Sequence, residues 1–191
     1  MRGASWGPDG EIVFGVLDGG LHRVASIGGE PERLTTPDSG SESSHIFPTF
    51  LPGREAVLFS VQTGSAAEKA KIAVVSLRTG DHRVLELTGS HPRYATSGYV
   101  VYGLDGKLIA APFDLERLEV AGEPVTVMEG VLTKDSGGVD FDLSEEGSLA
   151  YVTGGPLRMD ARSLVWVDRR GREEALALEP GSYSDPSIAS D

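Results

Sequence analysis

A chain of 191 residues has the length of one ordinary domain and enough material to bury a core. Its formal charge of -12 leaves no basic footprint for nucleic acid, and the absence of cysteine excludes disulfides, thiolate metal sites and a cysteine nucleophile. Its 25 glycines and 11 prolines interrupt every window long enough for a helix and imply short strands joined by turns. No apolar run approaches the ~18–20 residues of a membrane span, and Met1-Arg2-Gly3 does not begin a signal peptide. The chain is expected to be soluble, with its compartment open.

One motif recurs. Trp6-Gly7-Pro8-Asp9-Gly10 ends a short extended segment in a tight turn, and the apolar Ile12-Val13-Phe14 follows. Looser copies are Phe50-Leu51-Pro52-Gly53 before Ala56 to Val61, Tyr94-Ala95-Thr96-Ser97-Gly98 before Tyr99 to Tyr102, and Leu143-Ser144-Glu145-Glu146-Gly147 before Leu149 to Val152. The glycines Gly10, Gly53, Gly98 and Gly147 are spaced by 43, 45 and 49 residues, a period that predicts propeller blades.

In the first period, Ala4 to Trp6, Ile12 to Val16, Leu21 to Ala25 and Glu32 to Thr35 read as four short antiparallel strands, with a hairpin turn at Asp18-Gly19-Gly20. Thr36 to His45 crosses to the second period, whose strands are Phe47 to Leu51, Ala56 to Val61, Lys71 to Leu77 and His82 to Leu87. A polar hairpin loop is expected over Gln62 to Ala70. The third period runs from His91 through Tyr99 to Tyr102, Lys107 to Phe113 and Val125 to Met128. The fourth has Val139 to Leu143, Leu149 to Thr153, Ser163 to Asp168 and Glu173 to Leu178. The resulting blades are 1–36, 45–88, 91–129 and 138–179, with 183–191 the inner strand of a further blade. Strands such as Val57-Leu58-Phe59, Tyr99-Val100-Val101-Tyr102 and Leu164-Val165-Trp166-Val167 are apolar at consecutive positions, which predicts cover on both faces.

Trp6 to Gly10 with Ile12 to Phe14, and then Gly28-Gly-Glu-Pro-Glu-Arg-Leu-Thr35, resemble the WD40-like PD40 repeat of TolB-like propellers. Gly106-Lys-Leu-Ile-Ala-Ala-Pro-Phe-Asp114, Gly122-Glu-Pro-Val125 and Ser163-Leu-Val-Trp-Val-Asp-Arg-Arg-Gly171 are similar to the propeller region that follows many bacterial serine/threonine kinase domains. The resemblance implies an all-β propeller of about four four-stranded antiparallel blades, as a fragment of a six-bladed ring or as a self-assembling partial ring. It also implies an extracytoplasmic setting. No kinase signature is present: the glycine-rich phosphate loop, the His-Arg-Asp catalytic loop and Asp-Phe-Gly are missing.

Four histidines are available for base catalysis or metal ligation, and none forms a His-Glu-x-x-His pair. His22 and His82 fall near strand edges and are expected to face solvent. His45 and His91 each precede an inner strand near the propeller's mouth and are the better ligand-facing candidates, with Tyr94 and Tyr183 beside them. Asp140 and Asp142 share a face if their strand alternates, which makes them hydrated channel residues or weak calcium donors. Gly181-Ser182-Tyr183-Ser184-Asp185 lacks the last glycine and the helix of a nucleophile elbow.

These readings predict no catalytic residues, no cofactor and no resident metal, and hence a protein that is not an enzyme. The expected role is a scaffold that binds a protein or peptide and self-associates through open blade edges. A propeller binding a small molecule or sugar, with or without calcium, is the alternative, and a propeller lyase or hydrolase the third reading.

Overall fold

A computed structural model of the chain describes residues 2–53, 55–63, 70–144, 146–157, 164–167, 169–179 and 181. They fall in two compact units, Met1–Pro156 and Leu157–Asp191. Every regular element among them is a β-strand, and no helix is long and apolar enough to cross a membrane.

In the first unit, β1 (Ala4–Trp6), β2 (Glu11–Gly15), β3 (Leu21–Ala25) and β4 (Glu32–Arg33) pair in chain order as an antiparallel sheet. A second sheet of the same order follows, formed by β5 (Ser44–Phe50), β6 (Ala56–Gln62), β7 (Lys71–Ser76) and β8 (His82–Thr88). The third contains β9 (Ser90–Ala95), β10 (Tyr99–Leu104) and β11 (Lys107–Asp114), with β12 (Glu119–Val120) and β13 (Val125–Glu129) sharing the outer edge of β11. A two-stranded ladder, β14 (Phe141–Leu143) with β15 (Leu149–Tyr151), completes this unit. The second unit has one ladder, β16 (Val165–Val167) with β17 (Glu173–Ala175). The polar loop expected over Gln62 to Ala70 and the strand expected at 183–191 lie largely or wholly outside the described residues.

Each recurring turn closes on a glycine with positive φ, at 73° for Gly10, 62° for Gly53, 90° for Gly98 and 86° for Gly147. That backbone region costs an L side chain energy and costs glycine none, so the periodic glycines mark a repeated conformation.

The blades pack face to face, and alternation along their strands divides the core. Val57, Phe59 and Val61 of β6, with Ala73 and Val75 of β7, point toward the first blade and meet Val13, Leu21 and Leu34. Ala56 and Leu58, with Ile72, Val74, Leu85 and Leu87, point the other way onto Val100, Tyr102, Ala111 and Phe113 of the third blade. Val101, Leu108 and Ala110 leave the far face of that blade for Val131, Val139 and Phe141. The continuous apolar run of β6 is therefore buried on both sides, as its composition requires. The expectation fails at Val165 of β16, which is 43% exposed.

Phe59 is fully buried and touches the rings of His45 and His82. Phe59→Ala should cost about 3–5 kcal/mol through lost burial and the cavity left behind. A urea denaturation midpoint that barely moves would refute that packing.

Candidate functional site

The inner strands β1, β5, β9 and β14 lie successively side by side. A left-handed residue stands at the same repeat position in three of the periods, just before β1 as Gly3 at φ 81° and within β5 and β9 as Phe47 at 53° and His91 at 60°. The ladder register shifts at Phe47 and at His91, so each sits in a bulge that re-aims its side chain. Such a conformation costs a bulky residue of order 1–3 kcal/mol and must be held by its surroundings. Phe47 donates its N–H to the Arg2 carbonyl at 2.9 Å, and His91 donates its N–H to Ser60 Oγ at 2.9 Å. The two rings stack with centroids 4.6 Å apart and planes 20° apart, and Phe141 meets His91 edge-on at 5.8 Å.

His91 Nδ1 accepts the N–H of Val139 at 3.0 Å. Burial, with a smaller contribution from Arg93, lowers its pKa to about 4 against the opposing pull of Asp142 and Asp140. At neutral pH it is an uncharged acceptor tying the third blade to the fourth period.

Two residues further along each inner strand is a polar ring that sequence reasoning missed in part. Ser5, Thr49, Arg93 and Asp142 occupy equivalent places, each just before the first residue of the turn motif. Ser5 Oγ accepts the N–H of Phe50 at 3.2 Å, and Arg93 donates to Thr49 Oγ1 at 2.8 Å and to Asp142 Oδ1 at 3.0 Å. Asp140 is engaged elsewhere, by Lys134 Nζ at 2.6 Å. The two aspartates thus pair with different cations. The Ser136 carbonyl accepts from Arg2 Nη1 and Gln62 Nε2, each at 3.2 Å, so the loop before β14 reaches the first two blades.

His45 is not at a mouth. It is fully buried beside Phe59, with ring centroids 4.9 Å apart. Nδ1 lies 2.7 Å from Thr35 Oγ1 and Nε2 lies 3.0 Å from Glu42 Oε2. Burial holds the imidazole below its ordinary pKa, with Glu42 opposing. The neutral ring then donates Nε2–H to Glu42 and accepts the Thr35 hydroxyl at Nδ1, a tautomer assigned from this bonding pattern. Thr35 is itself buried, and its oxygen also accepts the Leu21 N–H at 2.9 Å. A hydroxyl, an imidazole and a carboxylate are in series, yet nothing can approach the hydroxyl to be attacked.

Glu42 reaches this place because Asp38 folds the crossing loop. The Asp38 carboxylate accepts from Gly40 N–H at 3.2 Å and Ser41 Oγ at 2.9 Å, bonds that favour its ionised form and lower its pKa. Asp38 N–H donates to Glu42 Oε2 at 2.8 Å. His82, expected in solvent, is half-buried with its ring 5.0 Å from that of His45. Only the i,i+3 spacing of Glu42 and His45 pointed to this group in the sequence, and no local pattern pointed to His82.

Tyr94 is half-buried against Phe113, edge-on at 6.3 Å, and belongs to the core between the second and third blades. His22 is half-buried and stacks on Phe14 at 5.8 Å, with a buried Nδ1 that has no hydrogen-bond partner among the described residues. Tyr183 lies outside the described residues. A cleft of about 390 Å³ opens between the first two blades beside Gly7, Phe50 and Leu77. Arg23 on its wall is paired with Glu11 at 3.5 Å and Glu32 at 3.2 Å.

Successive antiparallel sheets packed face to face, with aligned inner strands, define a β-propeller fold. No family model and no curated protein matches the sequence. Solved propellers are similar in structure. Regucalcin from Agrobacterium tumefaciens, described as a calcium-binding protein, is 16% identical over 90% of this chain and 58% of its own, with a TM-score of 0.55. A luciferin-regenerating enzyme is 10% identical over 94% of this chain and 64% of its own, at 0.58. The PQQ-bound aldose sugar dehydrogenase of Streptomyces coelicolor is 12% identical over 94% and 60%, at 0.53. The chain thus spans roughly three fifths of the length of these proteins. Two of them are enzymes, which overturns the expectation that this chain is not one. A propeller's chemistry depends on the residues grafted onto its loops rather than on the fold.

Proposed function

We propose that the chain is a TolB-like propeller segment whose primary role is protein binding through the open face of its first blade, and that the partner is a second copy. The observation that carries this is the face of β1–β3 opposite Val13 and Leu21. Trp6, Ile12 and Val24 are in register across it, and Trp6 is 67% exposed. A blade face covered on one side only is a template for another blade. The far end of the first unit offers apolar side chains of its own, with Leu149 37%, Tyr151 40% and Val152 51% exposed. Docking of those residues onto Trp6 of a second copy would cover apolar side chains on both molecules. The repeat likeness to TolB-like propellers supports the same reading.

Light scattering behind a sizing column, over a range of concentrations, tests it. The wild type should run as a multiple of 20.2 kDa, and Trp6→Asp should return it to monomer without changing its circular dichroism. A wild type that stays monomeric throughout sinks the reading.

A further inference from the structure

We propose that Glu42, His45 and His82 bind one zinc-class divalent ion where the crossing loop meets the second blade. This inference is independent of self-association. The donor atoms of these three side chains lie within 4.8 Å of one another. Two imidazole nitrogens and one carboxylate oxygen are a borderline donor set, suited to zinc rather than to calcium or magnesium.

The geometry needs little adjustment. Tetrahedral zinc with bonds of ~2.0–2.1 Å places its donors about 3.3 Å apart, and His45 Nε2 and Glu42 Oε2 already stand at 3.0 Å. The wider separations close by movement of Glu42, on the loop folded by Asp38, and of His82, the first residue of β8. His45 is the fixed point, fully buried and held at Nδ1 by Thr35. Metal-bound histidines usually present their second nitrogen to such an orienting partner.

Protons balance within the cluster. The neutral imidazole proton passes from Nε2 to Nδ1, which frees the Nε2 lone pair for the ion. The Thr35 hydroxyl turns from donor to acceptor, and its oxygen then takes both His45 Nδ1–H and the Leu21 N–H. Glu42 supplies the anionic ligand. Three protein donors leave one tetrahedral position for water or an external ligand.

The test is calorimetric titration of chelator-stripped protein with zinc, joined to absorption spectroscopy with cobalt(II), whose visible bands distinguish tetrahedral nitrogen and oxygen ligation from octahedral oxygen ligation. The expected result is one equivalent bound with a tetrahedral cobalt spectrum, and affinity at least about tenfold weaker in His82→Ala and in Glu42→Gln. His22→Gln should bind as the wild type does. His45 is too deeply packed to serve as the test variant; His82 and Glu42 lie at the edge of the cluster, and circular dichroism verifies that their variants fold. Absence of zinc binding by the wild type, an octahedral cobalt spectrum, or undiminished affinity in His82→Ala would each overturn the proposal.

Discussion

Gly20→Ala is expected to destabilise the protein by at least about 3 kcal/mol, a large share of the 5–15 kcal/mol that holds a typical domain together. A Cβ on Gly20 would fall inside the Thr35 carbonyl group and press on Thr35 Oγ1 as well. Backbone cannot yield there cheaply. Leu34 and Thr35 donate their N–H groups to the Leu21 carbonyl at 2.8 and 3.2 Å, while Leu21 N–H is held by Thr35 Oγ1. Pushing the two segments apart breaks these bonds and withdraws the hydroxyl from His45, leaving buried polar groups without partners. Gly28→Ala is the informative comparison. Its Cβ would meet nothing within 4 Å, so only the cost of φ 95° remains, about 1 kcal/mol. Urea denaturation of the two variants should show a large shift of the midpoint for the first and a small one for the second. Equal midpoints would mean that β3 and Thr35 are not packed as described.

Stability should fall as pH drops from about 6.5 toward 4, with His91 responsible for roughly 3 kcal/mol of the loss. The sign follows from proton uptake. Unfolded, the imidazole takes a proton near pH 6.5, whereas in the folded protein burial keeps it neutral until about pH 4. Between those values the unfolded state binds more protons, so each fall in pH favours it. Below about pH 4 both states are protonated and this contribution is spent. Asp140 and Asp142 pull against the shift, and Arg93 adds to it. His45, whose pKa is also lowered by burial, acts in the same direction. His91→Asn separates the two histidines, because asparagine tolerates a left-handed backbone and its Oδ1 can accept the Val139 N–H in place of Nδ1. The difference in unfolding free energy between wild type and His91→Asn should narrow steadily from pH 7 to pH 4.5. A constant difference over that range would place the acid sensitivity elsewhere.

Readings that depended on near neighbours held up best. The turn at Trp6 to Gly10 and its copies, the hairpin at Asp18 to Gly20 and the doubly covered strand β6 are all local consequences of residue type: glycine where φ must be positive, consecutive apolar residues where both faces are dry. The histidines were another matter. His45 was placed at the mouth because it precedes an inner strand, but the Asp38 turn and the face of β6 draw it inward against Phe59. Tyr94 went the same way, into the core beside Phe113.

The sequence by itself determined the repeated unit, because period, turn glycines and apolar runs need no information beyond a few residues on either side. It also determined that no disulfide or thiolate can form among these 191 residues, since none of them is cysteine. Only the tertiary structure decided which polar groups meet. Thr35, Glu42, His45 and His82 converge because two blades and a crossing loop bring them together over 47 residues of chain. Arg93 finds Thr49 and Asp142 because equivalent positions of neighbouring blades become adjacent around an axis. Local propensity acts over one or two turns of chain, whereas side-chain convergence depends on how whole sheets stack. That stacking is set by the combined burial of many residues and is not encoded at any one of them.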